Sequence, residues 1–266
     1  MNEQKIKIPI RFFTVTFLWS WILWGGVILI PFESVILTFS MKILGAFGPA
    51  FGAIYSKYTI EGKHSLKPFF KSFLSLRFGW KVWIAIFLVL GITAFIAWIL
   101  PEFWGEDRLS MFLPNVLIFF PYLLIMIFFG GGQEEIGWRA YISPILENRH
   151  GLIVGGLILG IVWAVWHLPL WFMYGASQTY MNFFGFTLMT IGYSYFLSWV
   201  MEASGNRPMS GLVAHGAANA FVTIFPWIIM AEEAKQTRYW IYVTLILIVG
   251  IAIVALRTYQ RQRIKN

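Results

Sequence analysis

The chain has 266 residues, of which 59% are hydrophobic and only 12% are charged, and its net charge is +8. The charged share is about half that of soluble domains, and a soluble protein of this length has no core large enough for so much apolar surface. The chain has no cysteine, which excludes disulfides, thiol nucleophiles and thiolate metal ligands. Its basic residues lie beside apolar runs, where anionic lipid is a simpler partner than nucleic acid.

Apolar runs follow one another along the chain, and each is roughly as long as the 20 residues that cross a bilayer core as a helix. We therefore predict an all-α, polytopic membrane protein, with one helical domain over residues 1–266. The eight predicted spans are 12–31, 35–56, 80–100, 112–131, 151–173, 181–201, 209–229 and 239–256. The first is too long for the core of a signal peptide and is interpreted as a retained span. The second is the weakest, because Lys42 interrupts it.

Lysine and arginine are distributed unevenly between the two predicted sides. With the N-terminus inside, the inner segments hold 16 of the 20 basic residues. Cytoplasmic loops carry such an excess, so both termini are predicted on the inside. The expected location is the plasma membrane of a prokaryote.

A few polar residues interrupt the apolar spans, where ionisable groups are costly and are by default functional candidates. They fall in a motif-bearing core, about residues 112–230. The six candidates are Glu134, Glu135, Arg139, His167, His215 and Asn219.

The spacing of these residues predicts which of them share a helix face. Glu135 and Arg139 are four positions apart and can form an ion pair. Glu134 is turned about 100° away from Glu135 and is free to point elsewhere. His215 and Asn219 are also four positions apart, so both can face one point.

Glu134 and His167 are predicted to lie level with each other on neighbouring helices. If the turn near Gly151 is the tip of a helical hairpin, Glu134 lies about 16 residues before it and His167 about 16 after it. At 1.5 Å per residue both are roughly 24 Å from the tip. This register predicts that the fourth helix continues past Gly132 to about Glu147, with Glu134 at membrane depth.

Each of these signals has an ordinary structural explanation. A glutamate and an arginine four positions apart, such as Glu135 and Arg139, can form an ordinary ion pair at the membrane interface. A single histidine in a span often bonds only to a neighbouring helix. Tryptophans such as Trp163 are expected to face lipid or to pack. The conjunction of carboxylates, an arginine, two histidines and an asparagine on three spans favours a functional site.

At these residues the chain resembles the CAAX prenyl protease and bacteriocin-processing family of intramembrane proteases. The three family motifs are Glu-Glu-x-x-x-Arg, Phe-x-x-x-His and His-x-x-x-Asn or Asp. They correspond to Glu134–Arg139, Trp163–His167 and His215–Asn219. Trp163 stands where the family has phenylalanine, and we interpret it as a packing residue.

The resemblance implies an endopeptidase that cleaves a membrane-associated or lipidated peptide inside the helical bundle. Glu134 and His167 would activate a water, and His215 and Asn219 would stabilise the oxyanion. Glu135 and Arg139 would orient Glu134. No cofactor is expected, and the implied partners are a peptide or protein substrate reached from the membrane and the lipid bilayer.

Other intramembrane proteases are excluded by composition and motif. Asp107 is the single aspartate, so a two-aspartate pair is impossible. The zinc motif His-Glu-x-x-His and the serine motif Gly-x-Ser-Gly do not occur.

Two alternatives stay open. Glu134, His167 and His215 supply the ligand types of a zinc hydrolase. A non-catalytic immunity or regulatory role is the other. The residues do not distinguish a prenylated substrate from a bacteriocin leader, a pheromone or a membrane-protein tail.

Overall fold

The structure is a computed structural model that describes residues 8–30 and 34–265. Its α-helices are α1 (Ile10–Leu29), α2 (Val35–Gly45), α3 (Gly48–Glu61), α4 (Leu66–Ser72), α5 (Trp80–Ile99), α6 (Phe119–Phe128), α7 (Glu135–Gly137), α8 (Ser143–Trp166), α9 (Phe183–Ala203), α10 (Pro208–Phe221) and α11 (Thr237–Lys265). A π-helix, Trp138–Ile142, joins α7 to α8, and short 3-10 turns occupy several connections. The predicted all-α class is confirmed.

Five helical stretches of the described chain are long and apolar enough to cross a membrane, or six if the bent pair α2 and α3 counts as one. They are Ile10–Leu29, Trp80–Trp104, Val116–Phe172, Phe183–Ala203 and Thr237–Arg263. The polytopic character is confirmed, but the predicted eight spans are not all long helices. The stretch Val116–Phe172 combines the fourth and fifth predictions, and the seventh corresponds to the 14-residue helix α10.

Helix α5 shows how a long apolar helix divides between lipid and core. Ile84, Leu88 and Ile92 form an exposed row, whereas Ile86 and Leu90 are fully buried on the opposite face. The exposed row is apolar because its surroundings are lipid, and the helix satisfies its own backbone hydrogen bonds there.

Helices α2 and α3 meet at a bend of 48°, where the sequence predicted one weak span. Gly48 at the start of α3 lies against α1, and a Cβ there would be 2.1 Å from Ser20 Oγ. The Ser20 hydroxyl in turn donates to the carbonyl of Gly45. This close approach holds the bend against α1, so the bend and not Lys42 interrupts the span.

The helix is interrupted between α6 and α8, where the sequence predicted that it continues. Gly131 has φ of +122°, a left-handed conformation that favours glycine, and a 3-10 turn at Gly132–Glu134 follows it. Gly151, at φ of +80°, ends the first part of α8 and forms the predicted hairpin tip. The break reorients the backbone immediately before Glu134.

Helix α10 ends at Phe221, eight residues before the predicted end of the seventh span. Single turns continue to Phe225, whose N–H donates to the Phe221 carbonyl. Pro226 prevents any further helix, because proline has no N–H to donate and disfavours the helical conformation of the residue before it. The backbone beyond the helix finds other partners. The Thr223 carbonyl accepts from the N–H of Phe112, and the Gln236 side chain bonds both backbone groups of Ile229.

Candidate active site

A cavity of about 560 Å³ lies between α2, α6, α9 and α10 and the end of α8. Glu134, His167, His215 and Asn219 all line it. The structure thus brings together the four residues that the sequence singled out as catalytic. Their catalytic roles stay predictions.

Glu134 lies in the 3-10 turn after the backbone break and is only 5% exposed. Its Oε2 accepts a hydrogen bond of 2.9 Å from the indole N–H of Trp163 on α8. Its Oε1 is 3.9 Å from His167 Nε2, which is too long for a direct hydrogen bond. The predicted level register of Glu134 and His167 is therefore confirmed, and the gap has room for a bridging atom.

His167 caps the C-terminus of α8, and its Nδ1 is 2.9 Å from the carbonyl oxygen of Trp163. Because a carbonyl oxygen only accepts, Nδ1 carries the proton. In the neutral ring Nε2 is then an acceptor that faces Glu134. Trp163 consequently orients both side chains, through its indole N–H for Glu134 and its carbonyl for His167.

His215 is held from the opposite side by Glu135. The two form a 2.8 Å hydrogen bond between His215 Nδ1 and Glu135 Oε1. Glu135 Oε2 lies 3.4 Å from Arg139 Nε, and both side chains are fully buried. The Arg139 guanidinium also lies 4.9 Å from the centre of the Trp163 ring. Glu135 was predicted to orient Glu134, but its direct contact is with His215.

Asn219 lies one helical turn beyond His215 on α10, and its amide Nδ2 donates to the Gly130 carbonyl at 2.6 Å. The amide has a second N–H for another acceptor. Gly131 packs beside both residues, because a Cβ there would be 2.4 Å from Asn219 Nδ2 and 2.7 Å from His215 Nε2. Only glycine leaves the space in front of these two nitrogens open.

Trp163 and Gly131 are the residues of the site that sequence reasoning missed. Trp163 was interpreted as a packing or lipid-facing side chain, whereas it is 3% exposed and hydrogen-bonded to Glu134. A phenylalanine, as in the family motif, has no N–H to donate. The tryptophan in place of the motif's phenylalanine was the sequence feature that could have indicated this role. For Gly131 the sequence offered a weaker indication, the run of three glycines shortly before Glu134.

The Trp163→Phe variant is expected to fold normally and to lose turnover. The ring volume is largely kept, while Glu134 loses a donor of the charge-assisted kind, which contributes about 1.5–3 kcal/mol. Turnover should fall about 10- to 100-fold, measured with purified protein in detergent. Trp171→Phe is the matched control, because its indole bonds only the distant Met181 carbonyl. A fully active Trp163→Phe protein would show that the indole does not position Glu134.

A zinc ion would need Glu134, His167 and His215 to converge on one point at about 2.0–2.2 Å. Within residues 8–30 and 34–265, no three His, Asp or Glu side chains are arranged to hold a metal. The zinc hydrolase stays an alternative that a metal analysis of the purified protein tests.

The fold and the site together define a class: a polytopic helical membrane protein with a buried glutamate, histidine and asparagine cluster inside an apolar cavity. Residues 114–221 match the family model of type II CAAX prenyl endopeptidases, described as Rce1-like. The CAAX prenyl protease 2 of Methanococcus maripaludis is 34% identical over 56 residues, which is 21% of this chain and 21% of that protein. The matched region contains the three motifs, which confirms the resemblance that they indicated.

Proposed function

We propose that the protein is an intramembrane endopeptidase that hydrolyses a peptide bond of a membrane-associated or lipidated substrate. The observation that carries the proposal is the pair of acceptors, Glu134 Oε1 and His167 Nε2, 3.9 Å apart in one buried cavity. At that separation one water oxygen can lie about 2.8 Å from both atoms. Donating one O–H to each acceptor, the water directs a lone pair towards a substrate carbonyl.

In the first step the water oxygen bonds to the carbonyl carbon and its proton passes to Glu134. The carbonyl oxygen becomes an oxyanion. His215 Nε2 donates to it when the ring carries its second proton, since Nδ1–H is held by Glu135. The free N–H of Asn219 supplies a second hydrogen bond.

In the second step Glu134 gives the proton to the amide nitrogen, and the carbon–nitrogen bond breaks. The products are a carboxyl group and an amine, and Glu134 returns to its starting state. Glu135 and Arg139 position the cluster, because Glu135 holds His215 and the Arg139 guanidinium packs against the Trp163 ring. No atom other than those of water, substrate and side chains is needed.

The proposed setting is the plasma membrane of a prokaryote, with both termini in the cytoplasm as the positive-inside distribution favours. The partners are the lipid bilayer and a peptide or protein substrate, and nucleic acid has no part in the activity. Membrane proteomics with Glu134→Gln as a substrate trap tests the proposal. Enrichment of membrane-associated peptides by the trap over the wild type is expected.

A zinc hydrolase and a non-catalytic regulator are the outcomes that would replace this proposal. Stoichiometric zinc in the purified protein, lost in both Glu134→Gln and His215→Ala, would establish the zinc enzyme. A cellular function that survives Glu134→Ala unchanged would establish the regulator.

The Asn219→Ala and His215→Ala variants are each expected to keep measurable activity. Each removes one donor to the developing oxyanion, and in hydrolases such a loss lowers turnover about 100- to 1000-fold. Turnover in detergent and capture of substrate by pull-down are the measurements. Asn115→Ala is a control, since Asn115 is exposed and only caps a 3-10 turn. Unchanged turnover in both site variants would show that the oxyanion is stabilised elsewhere.

A further inference from the structure

Lys42 is a charged side chain within an apolar helix that the proposed chemistry does not use. It lies on α2, about 10 Å from the start of that helix at 1.5 Å per residue, and it is half-buried. Helices α2 and α3 together are long and apolar enough to form one bent span. An ionisable group within a span is costly and is by default a candidate for function.

The Lys42 ammonium has no anionic partner in the protein. Its Nζ donates a long hydrogen bond of 3.4 Å to the backbone carbonyl of Tyr174. In the described parts of the chain, 8–30 and 34–265, no carboxylate forms an ion pair with it, whereas the buried Arg139, Arg238 and Arg257 each pair with a glutamate. An ammonium has three N–H donors, so two are left for another acceptor. A charge taken partly out of water needs a partner, and here a ligand has to supply it.

Lys42 lines the same cavity as the candidate catalytic residues. Among the lining residues that the structure describes, it is the one lysine or arginine, and Glu134 is the one acid. Most of the other side chains in the lining are apolar or aromatic. The cavity therefore presents one fixed cation to its occupant, and the low dielectric of the apolar wall strengthens its attraction for an anion.

One indole ring links Lys42 to the candidate catalytic residues. The indole N–H of Trp24 donates to the Lys42 carbonyl at 3.0 Å. The same indole stacks on the His167 ring, with centroids 6.4 Å apart and planes at 27°. Trp24 is 2% exposed, and a Cβ on Gly45 would be 2.2 Å from its Nε1, so α2 packs tightly against it. Buried contacts thus hold the Lys42 backbone one ring away from His167.

We propose that Lys42 binds a carboxylate of the peptide that occupies the cavity and thereby selects peptides that carry one. The carboxylate is either the C-terminus of the peptide or an Asp or Glu side chain, which offer the same chemistry. The ammonium forms a charge-assisted hydrogen bond with it while the scissile bond lies at Glu134 and His167. Lys42 is then a specificity-determining residue with no part in proton transfer. This inference rests on the proposed function, because that function makes the occupant a peptide.

The position of Lys42 favours a peptide carboxylate over a lipid phosphate. A lysine that serves lipid headgroups extends along the outer surface of the protein to the membrane interface. The Lys42 ammonium instead bonds the Tyr174 carbonyl, and the neighbours of Tyr174, Met173 and Gly175, also line the cavity. The charge therefore borders the space that a substrate occupies.

Three forms of one peptide test the assignment. A short fluorescent peptide of leucine and alanine is prepared as the C-terminal acid, as the C-terminal amide, and as the amide with one glutamate in place of a leucine. Affinity for the protein in detergent is measured as Kd by fluorescence anisotropy, or as KM where the peptide is cleaved. The wild type should bind the acid or the glutamate form at least about tenfold more tightly than the plain amide. The form that binds identifies the source of the carboxylate.

Substitutions at Lys42 assign this preference to its charge. Lys42→Met should abolish the preference and Lys42→Arg should keep it, while Lys42→Glu should instead prefer an amide that ends in a cationic aminoethyl group. Lys42→Gln replaces Lys42→Met if the latter does not fold. Lys67→Met is the matched control, because Lys67 is exposed on α4 and outside the cavity lining.

Thermal unfolding separates recognition from a structural role. Because Lys42 has no counter-ion in the described chain, Lys42→Met should unfold at no lower temperature than the wild type. A lower unfolding temperature with the peptide preference intact would give the lysine a structural role and overturn the inference.

Two other results would also overturn the inference: equal or unmeasurable binding of all three forms by the wild type, or a preference that survives in Lys42→Met. Loss of co-purified phosphatidylglycerol from Lys42→Met, with that preference unchanged, would assign Lys42 to a lipid headgroup instead. A protein that prefers the carboxylate form without cleaving it keeps the Lys42 subsite and loses the proposed function. One that cleaves all three forms with the same KM keeps the proposed function and loses the subsite.

Discussion

Glu134→Gln is expected to reduce turnover to background while substrate binding is retained. Glutamine keeps the shape of the side chain and an oxygen that accepts from Trp163 Nε1. It has no carboxylate to take the proton of the attacking water, so the first step is blocked. The measurement is turnover in detergent together with capture of substrate by the immobilised variant.

His167→Ala should resemble Glu134→Gln, because it removes the second acceptor that holds the water. Glu61→Gln is a control for the substitution itself, since Glu61 is exposed and pairs only with Lys57 four residues before it. Wild-type turnover in Glu134→Gln would show that Glu134 is not the catalytic base. Loss of binding together with turnover would instead give Glu134 a role in holding substrate.

Arg139→Ala is expected to destabilise the protein by about 3–5 kcal/mol and to reduce activity. Arg139 is 1% exposed, and its removal leaves the fully buried Glu135 carboxylate without its cation. Breaking one partner of a buried ion pair typically has this cost. Because Glu135 holds His215 at 2.8 Å, the disturbance reaches the site directly. Thermal unfolding in detergent and turnover are the two measurements.

The double variant Glu135→Ala/Arg139→Ala separates the charge from the packing. Removing both charges avoids an unpaired buried carboxylate, so this protein should be more stable than Arg139→Ala alone. Its activity should stay low, because His215 has lost its hydrogen-bond partner. Lys67→Ala is the control for loss of a positive charge, because Lys67 is exposed on α4. A stable and active Arg139→Ala protein would show that Glu135 and Arg139 form an ordinary ion pair with no role in the site.

Hydropathy and helical spacing in the sequence were enough to predict the class, the position of most helices and four polar residues that line the cavity, Glu134, His167, His215 and Asn219. Apolar runs of bilayer length have few soluble alternatives. The register of Glu134 and His167 was predictable because both lie on helical segments of similar length that leave one turn, at Gly151. The three motifs, in order along the chain, were sufficient to indicate the family.

Long-range contacts were not predictable in this way. Glu135 and His215 are 80 positions apart, and their hydrogen bond depends on how α10 is rotated and how closely it packs. The role of Trp163 depends in the same way on the direction of its indole within α8. The rise per residue predicts how far along the helix axis a residue lies. A contact between two helices also depends on how each helix is rotated about its axis and on the distance between the axes.

The breaks in the helices were also decided by tertiary structure. Gly131 unwinds the backbone before Glu134, and α10 stops at Phe221, although both regions are apolar enough to be predicted as spans. Hydropathy measures only the free energy of transferring side chains into lipid. Non-helical backbone is tolerated at membrane depth where it lines a cavity or is buried in protein, so an apolar segment need not be one continuous helix. The sequence by itself therefore determined the membrane class and the four polar residues that meet in the cavity. Only the packed structure decided which of their atoms meet, because contacts between helices depend on the rotation of each helix and on the distance between them.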